Sequence, residues 1–302
     1  MVIDSHLHVL KESNFDAVTE KALGHTHPTD TPIETLVAWL RDAGIGKAVV
    51  MGQDMSRIWN SSCGEDYVLQ CIKEYPDLFV GLASLEPVDK WGRYNRQALK
   101  YFEKAVREYG LKGVLLTPPY GQYTSDDPQV YPFYEMAVEC DVVVQYHHCA
   151  NPGGIFLAPY KYVTPQSLNN VLLDFPEMKV VVEHLNTPWT EELFFMMMNP
   201  NVQVYTDLAM TYHRPMMLTW NLVKAKECGV LDRIMYASDY WVAGSGVFSD
   251  HPGNDMKAWI ELIRNGINRI AKKSGWPLFT QDEIDGILYK NAVRLYGFDV
   301  AL

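Results

Sequence analysis

The sequence predicts a (β/α)₈ barrel from three observations: recurring apolar runs, helical patterns between them, and a chain long enough for the fold. The runs are rich in β-branched residues and occupy residues 2–4, 47–51, 79–83, 113–117, 142–146, 179–183, 202–206 and 233–237. They lack a polar alternate face, which is typical of parallel strands covered on both sides. The chain has 302 residues, enough for a barrel of about 250 residues with extensions. An open doubly wound sheet is the alternative.

Segments with helical periodicity lie between the predicted strands. Residues 33–43 and 94–109 each carry one apolar stripe, and Gly44 and Gly110 follow them as expected for C-terminal caps. Helix starts are indicated at Thr164-Pro165 and Thr280-x-x-Glu283, and the last helices are predicted over residues 256–274 and 281–296. We expect a single domain spanning residues 1–302.

Two predicted connections are long, residues 9–32 after the first strand and residues 240–252 after the eighth. Both leave the C-terminal ends of their strands, where barrels place active sites. These extended loops therefore either cover the active site or are surface insertions without a role in it.

Composition excludes several classes of protein. The formal charge is −11, from 26 basic and 37 acidic residues, so we expect no nucleic-acid partner. Five cysteines without a C-x-x-C pair argue against a disulfide framework and favour the cytoplasm. The acidic amino-terminal start and the short apolar runs predict neither export nor a membrane partner. A homodimer is expected only because dimers are the commonest oligomers of soluble proteins.

Polar residues stand at the ends of four predicted strands. The first strand leads into Asp4-Ser5-His6-Leu7-His8, and in an extended chain the two histidines point the same way. Strand five ends at His147 and His148, strand six at His184 and strand eight at Asp239. The C-terminal ends of the strands meet at one rim of a barrel, so these side chains are expected to lie close together. Three imidazoles and one carboxylate suit Zn²⁺, Mn²⁺ or Fe²⁺, which indicates a catalytic metal site at this rim. Each residue taken alone is as well explained as a buried histidine or a helix cap.

The ordered set of motifs resembles the amidohydrolase superfamily, and more closely its amidohydrolase-related branch of metal-dependent hydrolases and non-oxidative decarboxylases. The resemblance covers nearly the whole chain and is carried by IDSHLH at residues 3–8, LKG at 111–113, DDP at 126–128, YPFYE at 131–135, FPEMKVVVEHL at 175–185 and RIMYASDY at 233–240.

The resemblance implies that His6, His8, His147 and Asp239 bind one divalent transition metal per chain, with zinc first and manganese or iron as alternatives. It implies that His184 is the general base or polarises the substrate. In the family a His-Thr-Gly run usually follows strand five, whereas here His147 precedes a second histidine and a cysteine, so either imidazole can face the metal. The family often has a glycine after His184-Leu185, where this chain has an asparagine.

The predicted substrate is a small organic acid. Arg57, after strand two, is placed to bind a substrate carboxylate with its planar guanidinium, and an exposed ion pair is the alternative. Trp189 and Tyr240 are predicted to contact the substrate. They belong to a set of rim aromatics that either lines a flat pocket or fills the barrel: Trp59, Tyr120, Tyr146, Trp189, Tyr212, Tyr240 and Trp241.

We predict a metal-dependent hydrolase in which His184 and Asp239 move the proton of the water that attacks a carbonyl of an amide, ester or lactone. The close alternative is decarboxylation on the same ligands, with Asp239 or His184 protonating the carbon that loses CO₂. The third hypothesis is a barrel that only binds a ligand. The presence of all five polar residues argues against it, namely His6, His8, His147, His184 and Asp239.

The predicted metal count is one. Binuclear members of the superfamily use a carboxylated lysine at the end of strand four, and residues 115–119 contain no lysine. Glu183 adjoins His184, so strict alternation predicts that it faces away from the site.

Overall fold

The computed structural model describes residues 1–15, 30–58, 65–150, 159–242 and 252–300. Within these residues, nine parallel strands form one sheet in the order β8-β7-β6-β5-β4-β3-β2-β1-β9. The strands are β1 (Ile3–Val9), β2 (Lys47–Met51), β3 (Phe79–Ser84), β4 (Gly113–Leu116), β5 (Val143–Tyr146), β6 (Lys179–Val182), β7 (Gln203–Asp207), β8 (Ile234–Met235) and β9 (Tyr240–Val242).

Helices alternate with these strands and form the outer layer. They are α1 (Ile33–Ala43), α2 (Glu65–Glu74), α3 (Arg96–Arg107), α4 (Pro118–Gly121), α5 (Tyr131–Glu139), α6 (Pro165–Asp174), α7 (Thr190–Met197), α8 (Pro215–Glu227), α9 (Pro252–Glu261), α10 (Ile267–Ser274), α11 (Gln281–Asp285) and α12 (Asn291–Tyr296). Alternation of this kind with a nearly closed parallel sheet confirms the predicted (β/α)₈ barrel and excludes the open doubly wound sheet.

The barrel closes between its first and last strands. The backbone N–H of Ser5 donates to the carbonyl of Tyr236 at 3.1 Å, and β9 pairs with β1 in parallel. The chain bends between β8 and β9 at Asp239, whose φ is 52°. The connection predicted from residue 240 therefore begins with three residues of strand.

Two apolar layers hold the fold together. An interior cluster takes side chains such as Ile3, Met51, Leu115 and Val181 from the strands and is closed at its base by α12. A larger outer cluster joins the opposite faces of the strands to the surrounding helices. Strands covered on both faces explain the apolar runs of the sequence.

The predicted helix boundaries are largely confirmed. Gly44 ends α1 in the left-handed conformation with φ 78°, and Thr280 opens α11 with a capping box to Glu283. The two final helices are not continuous, because π-helical turns at Leu262–Gly266 and Gly286–Lys290 interrupt them. Among the described residues, no helix has the length and apolar character to span a membrane.

Candidate metal centre

The candidate site lies at the rim where β1 and β5 to β8 end. On β1, Ile3 packs in the interior and Leu7 in the outer cluster, although a regular strand would place both on one face. The pairing of β1 with β2 shifts between Asp4 and Leu7. This shift reverses the two faces of the strand, so that His6 and His8 both point into the barrel mouth.

Three of the predicted ligands converge on one position. His6 Nε2 lies 2.9 Å from His8 Nε2, and Asp239 Oδ1 lies 3.4 Å from His6 Nε2 and 3.3 Å from His8 Nε2. Tetrahedral ligands of zinc are roughly 3.3 to 3.6 Å from one another, which matches the two distances to Asp239. Two imidazole nitrogens and a carboxylate oxygen suit zinc, manganese or iron, so these residues fit a divalent cation.

Hydrogen bonds on the far side of each imidazole direct the free lone pairs toward this position. His8 Nδ1 lies 3.0 Å from the carbonyl oxygen of Gly52, which can only accept, so Nδ1 carries the proton. His6 Nδ1 lies 3.1 Å from Asp207 Oδ2 and donates to it. In the neutral form of each ring these contacts leave the proton on Nδ1 and a lone pair on Nε2, as metal ligation requires.

Asp207, the last residue of β7, is a site residue that the sequence analysis missed. Besides binding His6, its other oxygen accepts the backbone N–H of His184 at 3.0 Å and that of Ala209 at 3.0 Å. It therefore connects β1 to the segment after β6. An acid at the end of an apolar strand was a visible signal, but the predicted strand stopped at Thr206.

Glu183 faces the site, and the expectation that it faces away is wrong. Its Oε1 lies 3.3 Å from His6 Nε2 and accepts from Gln145 Nε2 at 2.9 Å. Its Oε2 lies 3.0 Å from His147 Nδ1 and 3.6 Å from His184 Nε2. Val181 packs in the barrel interior, so alternation itself places Glu183 on the inner face.

The departure from alternation occurs at His184. His184 and Leu185 have φ values of 58° and 54°, in the left-handed region that non-glycine residues seldom adopt. This turn brings His184 back toward the site, where its Nε2 lies 3.8 Å from Asp239 Oδ2 and its ring centroid 5.5 Å from that of His6. Consecutive residues thus contribute to one site.

Of the two histidines after β5, His147 faces Glu183 and His148 does not. His148 Nδ1 lies 3.1 Å from Asn186 Oδ1, and burial lowers the pKa of His148 to about 4. His147 forms a compact group with Cys149 and His184, beside the group of His6, His8 and Asp239. The structure therefore brings three of the four predicted ligands into one group and places His147 in the adjacent one.

The outer side of His147 is covered by Tyr120 of α4. The two rings stack with centroids 4.8 Å apart, and the tyrosine hydroxyl lies 3.2 Å from His147 Nε2. Cys149 Sγ lies 3.8 Å from the same nitrogen. Since burial raises the pKa of the Cys149 thiol, this sulfur is neutral without a bound cation.

Negative charge dominates the centre. The carboxylates of Glu183, Asp207 and Asp239 lie 3.3, 3.1 and 3.4 Å from the ring nitrogens of His6. Burial alone would lower the pKa of His6, but these carboxylates raise it to about 10. The negative electrostatic potential that stabilises the protonated form of His6 also stabilises a metal cation at the same position.

The structure does not bring all three predicted substrate residues to the centre. Tyr240 pairs with Leu7, shares the outer cluster with it, and directs its hydroxyl toward Asp255 at 3.5 Å. Trp189 is half-buried before α7 and packs edge-on against Tyr160. Arg57 is half-buried and donates to the carbonyl of Gly121, next to Tyr120.

Several residues named from the sequence lie outside the described residues: Trp59, His25, His27 and His251. Much of the two long connections lies outside them as well.

Comparison with known proteins identifies the family. The sequence model of the amidohydrolase family Amidohydro_2 matches residues 3–298. The chain belongs to this amidohydrolase family. Over 145 residues it is 27% identical to a 2-keto-4-carboxy-3-hexenedioate hydratase from Sphingobium, a match that covers 44% of this chain and 42% of the hydratase.

Solved structures share the fold of this amidohydrolase. An uncharacterised barrel protein from Bordetella bronchiseptica aligns with a TM-score of 0.70 and 22% identity, over 98% of each chain. A 2,6-dihydroxybenzoate decarboxylase from Rhizobium aligns with a TM-score of 0.64 and 15% identity, over 99% of each chain. A 4-oxalomesaconate hydratase from Rhodopseudomonas palustris aligns with a TM-score of 0.62 and 19% identity, over 99% of this chain and 96% of its own. At these identities the likeness concerns the fold alone.

Proposed function

We propose that this amidohydrolase is a metal-dependent hydrolase that attacks a carbonyl of a small acidic substrate with water. The observation that carries the proposal is the position of His184, an imidazole outside the group of His6, His8 and Asp239 but 3.8 Å from Asp239. A base in this position can take the proton of an attacking water. A divalent cation held by the three ligands, zinc first and manganese or iron as alternatives, would supply Lewis-acid polarisation of the reacting carbonyl.

His184 is held for this role by its backbone. Its N–H donates to Asp207, and the left-handed turn fixes the direction of its ring. The ring is buried, so its proton passes to the substrate's leaving group rather than to bulk water. Asp239 Oδ2, which faces His184, stabilises the protonated imidazole, while Oδ1 faces the two histidines of β1.

The proposed substrate class is a small organic acid. Arg57 donates to the carbonyl of Gly121, the residue after Tyr120, whose hydroxyl lies 3.2 Å from His147 Nε2, and the planar guanidinium suits bidentate binding of a carboxylate. Trp189 would contact the apolar part of such a substrate. In support, a structural neighbour is a probable 2-pyrone-4,6-dicarboxylic acid hydrolase with citric acid bound, and the hydratase relative is named for a dioate.

Decarboxylation is the second candidate, because the neighbours include 2,6-dihydroxybenzoate and 5-carboxyvanillate decarboxylases. The same ligands would then orient the substrate carboxylate, and His184 or Asp239 would deliver a proton to the carbon that loses CO₂. Two of the similar proteins are named as hydratases, and addition of water to a substrate needs the same water activation as hydrolysis.

Isotope labelling separates these reactions. We would incubate the metal-loaded enzyme with lactones, esters and amides of small acids, with unsaturated diacids and with carboxylated aromatics, in H₂¹⁸O and separately in D₂O. Hydrolysis places one ¹⁸O in the new carboxylate, whereas decarboxylation releases CO₂ and places deuterium on the carbon that lost it. Hydration raises the product mass by one water.

Metal-dependent ¹⁸O incorporation into a cleaved carboxylic derivative is the expected result. The His8→Ala variant, purified in parallel, controls for contaminating hydrolases. Turnover restricted to CO₂ release, absent in that variant, would replace the hydrolase assignment by decarboxylation. Turnover that survives complete metal removal would refute both.

A further inference from the structure

We infer that Tyr296 and Gln145 are positioning residues of the centre. A chain of buried hydrogen bonds runs from the C-terminal helix α12 through the barrel interior to Glu183, and it fixes which oxygen of this carboxylate faces His6 and which faces His147. The inference rests on the proposed function, because it assigns both residues to the same centre. A measurement on the metal-free protein tests the chain of hydrogen bonds separately from turnover.

The chain consists of two hydrogen bonds between three side chains. The hydroxyl oxygen of Tyr296 lies 3.0 Å from Gln145 Oε1, and Gln145 Nε2 lies 2.9 Å from Glu183 Oε1. Tyr296 is the last residue of α12 and packs in the interior cluster, Gln145 lies on β5, and Glu183 follows β6. All three side chains are buried, so water does not compete for these contacts. The chain therefore joins the floor of the barrel to its rim.

The chemistry of the three groups fixes the direction of both hydrogen bonds. An ionised carboxylate only accepts, so Gln145 turns its NH₂ group toward Glu183. The amide oxygen of Gln145 then faces Tyr296, whose hydroxyl donates to it. Without that hydroxyl, rotation of the amide would place its oxygen against the carboxylate. Tyr296 therefore holds the amide in the orientation that stabilises Glu183.

The orientation of Glu183 matters because its two oxygens have different partners. Oε1 accepts from Gln145 and lies 3.3 Å from His6 Nε2, while Oε2 lies 3.0 Å from His147 Nδ1 and accepts its proton. The last torsion of a glutamate side chain has a broad energy well, so a donor on Oε1 narrows the range of carboxylate orientations. A fixed carboxylate in turn fixes the ring of the histidine that donates to it.

The helix that carries Tyr296 is itself anchored to the barrel. Asn291, the first residue of α12, is buried and donates from Nδ2 to the carbonyls of Leu231 and Ile234, at 2.9 and 2.7 Å. These bonds fasten α12 to the start of β8. The competing interpretation is that the Tyr296 hydroxyl only satisfies a buried amide and contributes to stability alone.

Removal of the tyrosine hydroxyl distinguishes the two interpretations. Tyr296→Phe keeps the ring in the interior cluster and removes the donor to Gln145. Tyr134→Phe is the matched control, because this tyrosine is also buried and its hydroxyl donates to the carbonyl of Ser125 at 2.6 Å in the outer layer. Both variants should lower the Tm, since each loses a buried hydrogen bond. Only Tyr296→Phe should change the centre.

Nuclear magnetic resonance of the full-length, metal-free protein with ¹⁵N-labelled histidine reports on the centre without turnover. The Nδ1–H signal of His147 is identified by its absence from His147→Gln. This signal should shift in Tyr296→Phe and stay in place in Tyr134→Phe. The Nδ1–H signal of His8, which donates to the carbonyl of Gly52, should stay in place in both. A His147 signal that does not move in Tyr296→Phe would overturn the inference and leave the proposed function intact.

Kinetics of the metal-loaded enzyme test the consequence for the proposed reaction. Tyr296→Phe and Gln145→Met should each lower kcat by about tenfold with KM unchanged, the lower end of the usual effect of groups behind a metal site. The double variant should lose no more than either single variant, because both act through the same hydrogen bond to Glu183. Losses that multiply in the double variant would overturn the inference.

Gln145→Met also replaces Tyr296→Phe in the resonance comparison if the latter does not fold, since it removes the amide that donates to Glu183. Absence of turnover in the unaltered chain would overturn the proposed function instead, and the His147 signal would still decide whether the chain of hydrogen bonds positions the carboxylate.

Discussion

Glu183 and His184 are consecutive residues, and both lie against His6, with Glu183 Oε1 3.3 Å from His6 Nε2 and the two imidazole centroids 5.5 Å apart. In a regular strand, consecutive side chains point to opposite faces. The left-handed conformation of His184 resolves this conflict, since it ends the strand and turns the second side chain inward. Because His184 adopts this sparsely populated backbone conformation, the carboxylate of Glu183 and the imidazole of His184 lie in the same centre.

The first prediction concerns the ligands of β1. His6→Ala and His8→Ala should each lose the bound metal and keep the circular dichroism spectrum of the folded protein, because each removes one of the three ligands of the group formed with Asp239. Metal content is measured by elemental analysis. His213→Ala removes an exposed histidine outside the ligand groups and should bind metal normally. Full metal occupancy in the double variant His6→Ala/His8→Ala would disprove the ligand assignment.

His184→Asn should retain the cation held by His6, His8 and Asp239 but lose a factor of about 10² to 10⁴ in kcat, the typical contribution of a positioned base. Steady-state kinetics and metal analysis on the same preparation test this. Loss of the metal together with activity would show that His184 is itself a metal ligand. Unchanged kcat would remove it from the mechanism.

Asp207→Asn should weaken metal binding by about 10- to 100-fold, the usual effect of changing a residue that orients a ligating histidine. The amide can donate to His6 Nδ1 instead of accepting from it, which favours the wrong tautomer. Competition with a chelator of known affinity measures the change. An affinity within twofold of the unaltered protein would show that Asp207 does not set the state of His6.

Arg57→Ala should raise the KM for an acidic substrate far more than for an uncharged analogue, since a charge-assisted bidentate contact contributes roughly 1.5 to 3 kcal/mol. Arg57→Lys keeps the charge without the planar fork and should recover part of the loss. The two analogues are compared by kcat and KM. Equal effects on both would show that Arg57 does not bind the carboxylate.

His148 should make the apoprotein sensitive to acid. Burial lowers the pKa of His148 to about 4, whereas an unfolded histidine titrates near 6.5. The unfolded chain therefore binds the proton first, and the free energy of unfolding falls as pH drops from about 6.5 to about 4, by at most roughly 3 kcal/mol from this residue. Above this window His148 is neutral in both states and has no effect.

Urea unfolding of the chelator-treated protein at pH 7.5 and pH 5 tests this prediction. His148→Gln should lose less stability between the two pH values than the unaltered chain does. His213→Gln, at an exposed position, should behave like the unaltered chain. The same loss in all three proteins would show that His148 is not the group that titrates.

The sequence by itself determined the barrel and much of its rim. Apolar runs without a polar face required strands covered on both sides, and capping residues such as Gly44 and Thr280 marked helix boundaries, because both signals are local. The rim position of His6, His8, His147, His184 and Asp239 also followed from local order, since polar residues at strand ends of a parallel barrel meet at one edge.

Only the tertiary structure decided which side chains meet within that rim. The shifted pairing between Asp4 and Leu7 turned His6 and His8 inward, and the left-handed turn at His184 placed it beside Glu183. Both features depend on how neighbouring strands register and how the chain leaves the sheet, which no local periodicity records. The contacts of Asp207 and Glu183 with His6 join residues far apart in the chain, so only the folded structure showed which histidine these two carboxylates approach.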